Sequence, residues 1–137
     1  GLRIPDRSDR DGQLAQPVQF DLVERAIERG TIIVAAHEYE GQPMYPGCLE
    51  GVVGVMLRWD HARDAVTPVA LESGGSALIA SGYPRPIPGV PPDRNLNGIS
   101  FAVANATGVL AAALVGSPER RSAEDAIDAL RGQEART

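Results

Sequence analysis

The chain contains no lysine, since all 13 of its basic residues are arginine. A Schiff base or a Ser-Lys dyad therefore cannot be built from this chain alone, because both need a lysine amine. Cys48 is the only cysteine, so no disulfide can form within the chain. Cysteine content therefore does not distinguish a cytoplasmic from a secreted protein. One cysteine and two histidines, far apart in the sequence, do not give metal-ligand spacing, and we expect no metal and no cofactor.

Positive charge and long apolar runs are also scarce. The net charge is −5, so the chain lacks the basic excess that binds phosphate backbones. No run of about 18 apolar residues occurs, and no signal sequence with a basic start and an apolar middle. We expect neither nucleic-acid nor membrane partners.

The length allows one hydrophobic core. With 137 residues, 43% of them hydrophobic, the chain suits one folding unit, or part of one, spanning residues 1–137. It begins at Gly1 instead of Met, which suits cleavage from a longer precursor.

Apolar spacing predicts an α/β fold. Residues 17–29 have helical spacing, with Pro17 in the first turn and Gly30 as the stop. The β-branched run at 31–36 then predicts a strand buried on both faces. Further strands are predicted at 51–57, 69–71 and 77–80. Together they predict a mostly parallel sheet flanked by helices.

Two further segments complete this outline. The five prolines within 81–96 exclude a central strand and predict a surface loop, either a plain connector or the lining of a substrate groove. Ser117 and Pro118 are expected to end the helix that precedes them. A capping box of Ser122 and Asp125 opens a last helix, in which Ala126, Ile127 and Leu130 point inward and Gly132 is the stop.

Asn97-Gly98-Ile99-Ser100, followed by small apolar residues up to Val115, is the stretch with the most chemical content. It places a serine at the start of a helix of about four turns, where unpaired backbone N–H groups favour an oxyanion. The alternative is that Ser100 simply caps this helix, since serine is a favoured capping residue.

This stretch resembles the serine motif of the subtilisin-like peptidases, Asn-Gly-Thr-Ser-Met-Ala-x-Pro-x-Val-x-Gly. The positions in register are Asn97, Gly98, Ser100, Ala102 and Gly108, and those that depart are Ile99, Phe101 and Ala104, where the family has Thr, Met and Pro. A second stretch is also similar, with a strand ending Ala35-Ala36, then Tyr45-Pro46, then a valine-rich strand at 52–55. The resemblance implies the C-terminal half of a three-layer subtilisin-like fold, with Ser100 as the nucleophile.

The family's oxyanion asparagine should follow Ala36, where this chain has His37 and Glu38. A carboxylate would repel a developing oxyanion, and losing one such donor costs about 10²–10³ in rate. The His37 ring either donates in its place or merely satisfies backbone groups at a strand end. By resemblance, the oxyanion and substrate contacts come from Ala35, Ala36, His37, Glu38, Asn97 and Gly98.

The aspartate and histidine that activate the family's serine lie in the N-terminal half of its domain, and neither context occurs here. His61 is expected to be a solvated surface residue, and Cys48 a buried, inert thiol unless an electropositive neighbour lowers its pKa.

Three interpretations follow, in order of preference. In the first, the chain is a piece of a serine peptidase that cleaves peptides once a second polypeptide or precursor fragment supplies the Asp and His. In the second, it is a degenerate, non-proteolytic relative that acts as a peptide-binding or biosynthetic accessory protein. In the third, the likeness is superficial and the chain is an α/β interaction domain.

Overall fold

The computed structural model describes residues 16–115 and 122–136. These residues form three α-helices: α1 (Gln16–Glu28), α2 (Ile99–Leu114) and α3 (Ala123–Arg136). The strands are β1 (Val34–Ala36), β2 (Glu38–Tyr39), β3 (Gln42–Pro43), β4 (Val53–Leu57), β5 (Thr67–Ala70) and β6 (Ser76–Ala80), and a 3₁₀ turn covers Pro92–Arg94. The expected α/β class with a mostly parallel sheet is confirmed.

The main sheet has the strand order β1-β4-β6-β5. β1 and β6 both run parallel to β4, while β5 runs antiparallel to β6. β2 and β3 form a separate two-stranded hairpin directly after β1. The carboxyl ends of β1, β4 and β6 therefore meet at one edge of the sheet, where ligands bind in open parallel sheets.

Helices cover both faces of the sheet. Val53 and Val55 of β4 belong to a core formed with α2 and α3, whose buried members include Ala102, Ala106 and Ile127. A second cluster on the other face joins α1 to the segment before β4, through Phe20, Val23, Leu49 and Val52. Side chains alternate along a strand, so each face carries its own core.

The prediction of a strand at 31–36 buried on both faces is wrong in length and burial. Only Val34, Ala35 and Ala36 form β1, and all three are partly exposed. The physical reason is position: in the described residues β1 pairs only with β4 and so lies at the edge of the sheet. A β-branched run indicates strand propensity, but it does not fix where in a sheet the strand lies.

Predictions for the last helix are confirmed at its start and wrong at its end. The Ser122 N–H donates to Asp125 Oδ2 at 3.0 Å, and the Asp125 N–H donates to Ser122 Oγ at 3.1 Å. Ala126, Ile127 and Leu130 are buried as expected. Gly132 does not stop the helix, which continues to Arg136, because an internal glycine costs only about 1 kcal/mol.

Two further findings concern the end of α2 and the length of the helices. α2 ends at Leu114, and the expected stop at residues 117–118 lies outside the described residues. Across residues 16–115 and 122–136, no helix is both long and apolar enough to cross a membrane.

Candidate functional site at the carboxyl edge of the sheet

α2 begins beside the carboxyl ends of β4 and β6. The Gly98 N–H donates to the carbonyl of Gly82, which lies just after β6, at 2.9 Å. A Cβ at Gly82 would lie 3.3 Å from the Gly98 oxygen and would collide with Leu57 Cδ1 and Trp59 Cζ3. Glycine at position 82 therefore permits the close approach that holds the start of α2 against the end of the sheet.

The first turn of α2 has free backbone donors. Gly98, with a φ of 143°, precedes the helix, and no side chain caps it. The N–H groups of Phe101 and Ala102 donate to the Gly98 carbonyl at 3.1 and 3.4 Å. The N–H groups of Ile99 and Ser100 have no acceptor among the described residues. They lie at the positive end of the helix dipole, which favours an anion.

Ser100 is the second residue of α2 and is exposed. The prediction of a helix of about four turns starting at this serine is confirmed, since α2 has 16 residues. The alternative that Ser100 caps the helix is wrong, because Gly98 occupies the capping position. Within the described segments the Ser100 hydroxyl makes no hydrogen bond, so it is available to a ligand.

His37 packs against the sheet. Its N–H donates to the Val55 carbonyl at 2.8 Å and its carbonyl accepts from the Met44 N–H at 3.0 Å. A Cβ at Gly54 would lie 2.9 Å from His37 Nδ1. Because Gly54 lies between Val53 and Val55, whose side chains face α2, the imidazole lies on the opposite face of the sheet. This favours the structural interpretation of His37 over the oxyanion donor.

Glu38 is exposed and belongs to β2, where it is paired with Pro43. It lines an open pocket of about 290 Å³ together with Tyr39, Glu40, Leu57 and Trp59. The side chains of Leu57 and Trp59 also lie against Gly82, close to the Gly98 carbonyl. Glu38 and the start of α2 therefore border the same edge of the sheet, through these two side chains.

The remaining expected contacts have structural partners. The Asn97 side-chain amide donates to the Asn95 carbonyl at 3.0 Å, within the loop before α2. A Cβ at Gly47 would collide with the backbone oxygen of Ala36 and would lie 2.9 Å from the Ala35 carbonyl carbon. The 45–48 turn thus lies directly on the end of β1.

Neither histidine is hydrogen-bonded to Ser100 in the described part of the chain. His61 Nε2 lies 3.1 Å from Thr67 Oγ1 in an exposed contact, and the residue is partly buried, so it is a surface residue with one side-chain partner. Burial raises the pKa of the Cys48 thiol, which agrees with an inert cysteine. In the described part of the chain, no group of three His, Cys, Asp or Glu residues could hold a metal ion.

Comparison with known proteins adds no assignment. No protein-family model, no curated protein and no solved structure matches this chain.

Sequence reasoning missed the residues that brace the start of α2. Asn105 donates through Nδ2 to the carbonyls of Ser81 and Tyr83, both at 3.0 Å, which ties the proline-rich loop to the helix. Trp59 packs edge-on against Tyr83, with ring centroids 5.4 Å apart. One signal was visible: an asparagine in a helix of small apolar residues has poor helix propensity and needs another reason to be there.

Proposed function

We propose that this chain supplies the nucleophile, Ser100, and an oxyanion-binding helix start to a subtilisin-like serine peptidase domain. The catalytic Asp and His come from a second polypeptide or precursor fragment, and the substrate is a peptide. One observation carries the proposal: an exposed serine in the uncapped first turn of α2, at the carboxyl edge of three parallel strands.

The chemistry of acyl transfer explains what this arrangement contributes. The Ser100 oxygen attacks the carbonyl carbon of the peptide and passes its proton to a base, while the carbonyl oxygen becomes an oxyanion. The free N–H groups at the start of α2 suit that oxyanion. No described base is hydrogen-bonded to Ser100, so in this proposal the proton-transfer half comes from the second polypeptide.

The sheet offers a place for the missing part to dock. β1 is short, partly exposed and paired on one side only in the described structure. α2 also leaves Ala104, Ala111 and Ala112 exposed. An open strand edge beside exposed apolar surface favours association with another polypeptide.

A second candidate function is a degenerate, non-proteolytic protein that binds a peptide or assists biosynthesis. Glu38 favours it, because a carboxylate at the edge of the site opposes an oxyanion but can bind a basic group of a peptide. The lack of a base bonded to Ser100 in residues 16–115 and 122–136 points the same way.

Peptide cleavage by the assembled protein tests the proposal. The full chain is purified with whatever polypeptide accompanies it, and hydrolysis of an unstructured protein such as casein is measured for the natural sequence, Ser100→Ala and Ser73→Ala. Ser73 is an exposed turn serine and serves as the matched control. We expect Ser100→Ala to abolish cleavage and Ser73→Ala to leave it unchanged. Equal cleavage by both variants would overturn the proposal.

A further inference from the structure

A second pocket, of about 190 Å³, lies between the proline-rich loop and the segment after β4. We call it the proline-loop pocket. Its apolar wall is formed by Pro84, Pro86, Val90 and Pro92, and its polar groups come from His61, Arg63 and Ser81. None of these groups takes part in the proposed peptidase chemistry.

Ser81 is the most informative of these residues. It is only 1% exposed and is the one polar residue in the described buried core. Its Oγ accepts the Tyr83 N–H at 3.2 Å, but its own hydroxyl hydrogen has no acceptor among the described residues. Buried donors are rarely left unpaired, because that costs free energy. Since Ser81 lines the pocket, a molecule bound there can supply the missing acceptor.

Two other side chains of the pocket, Arg63 and His61, have polar atoms that are free for a ligand. Arg63 is exposed and forms no ion pair in the described structure. His61 uses Nε2 with Thr67, which leaves Nδ1 for a ligand. Asn95 is occupied within the loop, where Nδ2 donates to the Arg85 carbonyl and Oδ1 accepts the Leu96 N–H.

Charge supports the same conclusion. No described carboxylate lines the proline-loop pocket, although Asp60 and Asp64 flank Arg63 in the sequence. An arginine guanidinium binds a carboxylate with two parallel hydrogen bonds, which a neutral acceptor cannot match. The described polar side of the pocket therefore favours an anion.

The apolar wall limits the size of the rest of the ligand. An engineered apolar cavity of about 150 Å³ holds one benzene molecule. The proline-loop pocket is of that order and is partly open to solvent. It fits one ring or one branched aliphatic group.

We infer that the proline-loop pocket binds a carboxylate attached to one compact apolar group. Ser81 and Arg63 hold the carboxylate, and the prolines contact the apolar group. Two sources share this chemistry: a small free organic acid and the C-terminal residue of a peptide. The inference does not depend on the proposed peptidase function, since it uses none of the residues around Ser100.

Tryptophan fluorescence gives a direct binding test. Trp59 is the only tryptophan, and it packs against Tyr83, which lines the pocket. The full chain is titrated with phenylacetate, with the peptide Gly-Gly-Phe and with phenylacetamide. We expect saturable binding of at least one of the two carboxylates. The amide should bind at least about 10-fold more weakly than that carboxylate. Tighter binding of Gly-Gly-Phe than of phenylacetate assigns the pocket to peptide C-termini, and the reverse assigns it to free acids.

Variants locate the binding. Arg63→Gln should weaken carboxylate binding by about 10-fold or more, and Ser81→Ala should weaken it as well. Arg85→Gln, in the same loop but outside the pocket lining, is the matched control and should bind as the natural chain does. Ser81→Ala also removes the acceptor of the Tyr83 N–H, so thermal unfolding is measured for each variant. If Ser81→Ala does not fold, the binding result of Arg63→Gln alone decides the test. No saturable change, equal binding of acid and amide, or an Arg63→Gln variant that matches Arg85→Gln would overturn the inference.

Discussion

At the residue scale, Ser100 lies beside free backbone N–H groups that suit an oxyanion. Its hydroxyl has no hydrogen-bonded base among the described residues that would activate it as a nucleophile. Free N–H groups and the positive end of α2 surround it, while His61 is bonded to Thr67 and His37 lies on the far face of the sheet. Under the proposed function, the base that activates Ser100 comes from the second polypeptide.

Under the proposed function, Glu38 should limit the peptidase rate, because the resemblance puts it near the position of an oxyanion donor. Replacing Glu38 with Asn exchanges a repelling carboxylate for an amide donor, and we expect kcat/KM of the assembled protein to rise by up to ~10²-fold. Glu72→Asn, in the exposed turn between β5 and β6 and outside the pocket that Glu38 lines, is the control and should change the rate little. An unchanged or lower rate for Glu38→Asn would show that another group fills this role.

Gly47 should tolerate no side chain. A Cβ there would collide with the Ala36 carbonyl, and backbone cannot move aside as a flexible side chain can. We expect Gly47→Ala to lower the free energy of unfolding by about 3 kcal/mol, measured by urea denaturation.

Gly108→Ala is the matched control for that substitution. Nothing lies within 4 Å of a Cβ at this position in α2, and alanine favours a helix, so a gain of up to about 1 kcal/mol is expected. A Gly47→Ala variant as stable as the natural chain would contradict the packing of the 45–48 turn on β1.

Single residues were predictable where the chemistry is local. The Asn-Gly-x-Ser spacing located the start of α2, because a glycine with positive φ followed by small apolar residues is a local signal. The direction of the His37 ring was not predictable, since it depends on Gly54, 17 positions away and on another strand. The burial of the Ser81 hydroxyl was not predictable either, since it also depends on residues distant in the sequence.

At the element scale, the capping box should carry much of the stability of the start of α3. Ser122→Ala removes the acceptor of the Asp125 N–H, and we expect a loss of about 1 kcal/mol in the free energy of unfolding. Ser73→Ala is the control, and urea denaturation with circular dichroism is the measurement. Equal stability of the two variants would mean that the capping box contributes nothing in solution.

The type of each secondary-structure element was more predictable than its position in the fold. Helix and strand propensities indicated α1, α2 and the parallel strands, because side-chain spacing is a local property. The β2-β3 hairpin was missed, since its strands have only two residues each, all exposed, and carry no periodic apolar signal. That β1 lies at the edge of the sheet follows from strand pairing over long distances in the sequence, which no local pattern encodes.

At the scale of the whole molecule, the open edge of β1 and the exposed small residues of α2 predict that the chain does not act alone. We expect size-exclusion chromatography with light scattering to give a mass well above the 14.5 kDa of one chain, either with a co-purifying polypeptide or as a self-associated form. A monomer that unfolds cooperatively and reacts at Ser100 would contradict this prediction.

The central claim is that Ser100 is a nucleophile completed by another polypeptide. Covalent labelling with a fluorophosphonate, located by mass spectrometry of the digested protein, tests it most directly. We predict that Ser100 is labelled in the assembled protein and not in the isolated chain, because only the assembly holds a base. If Ser100 stays unlabelled in the assembled protein while other serine peptidases in the same sample react, the account is contradicted and the chain is a binding module.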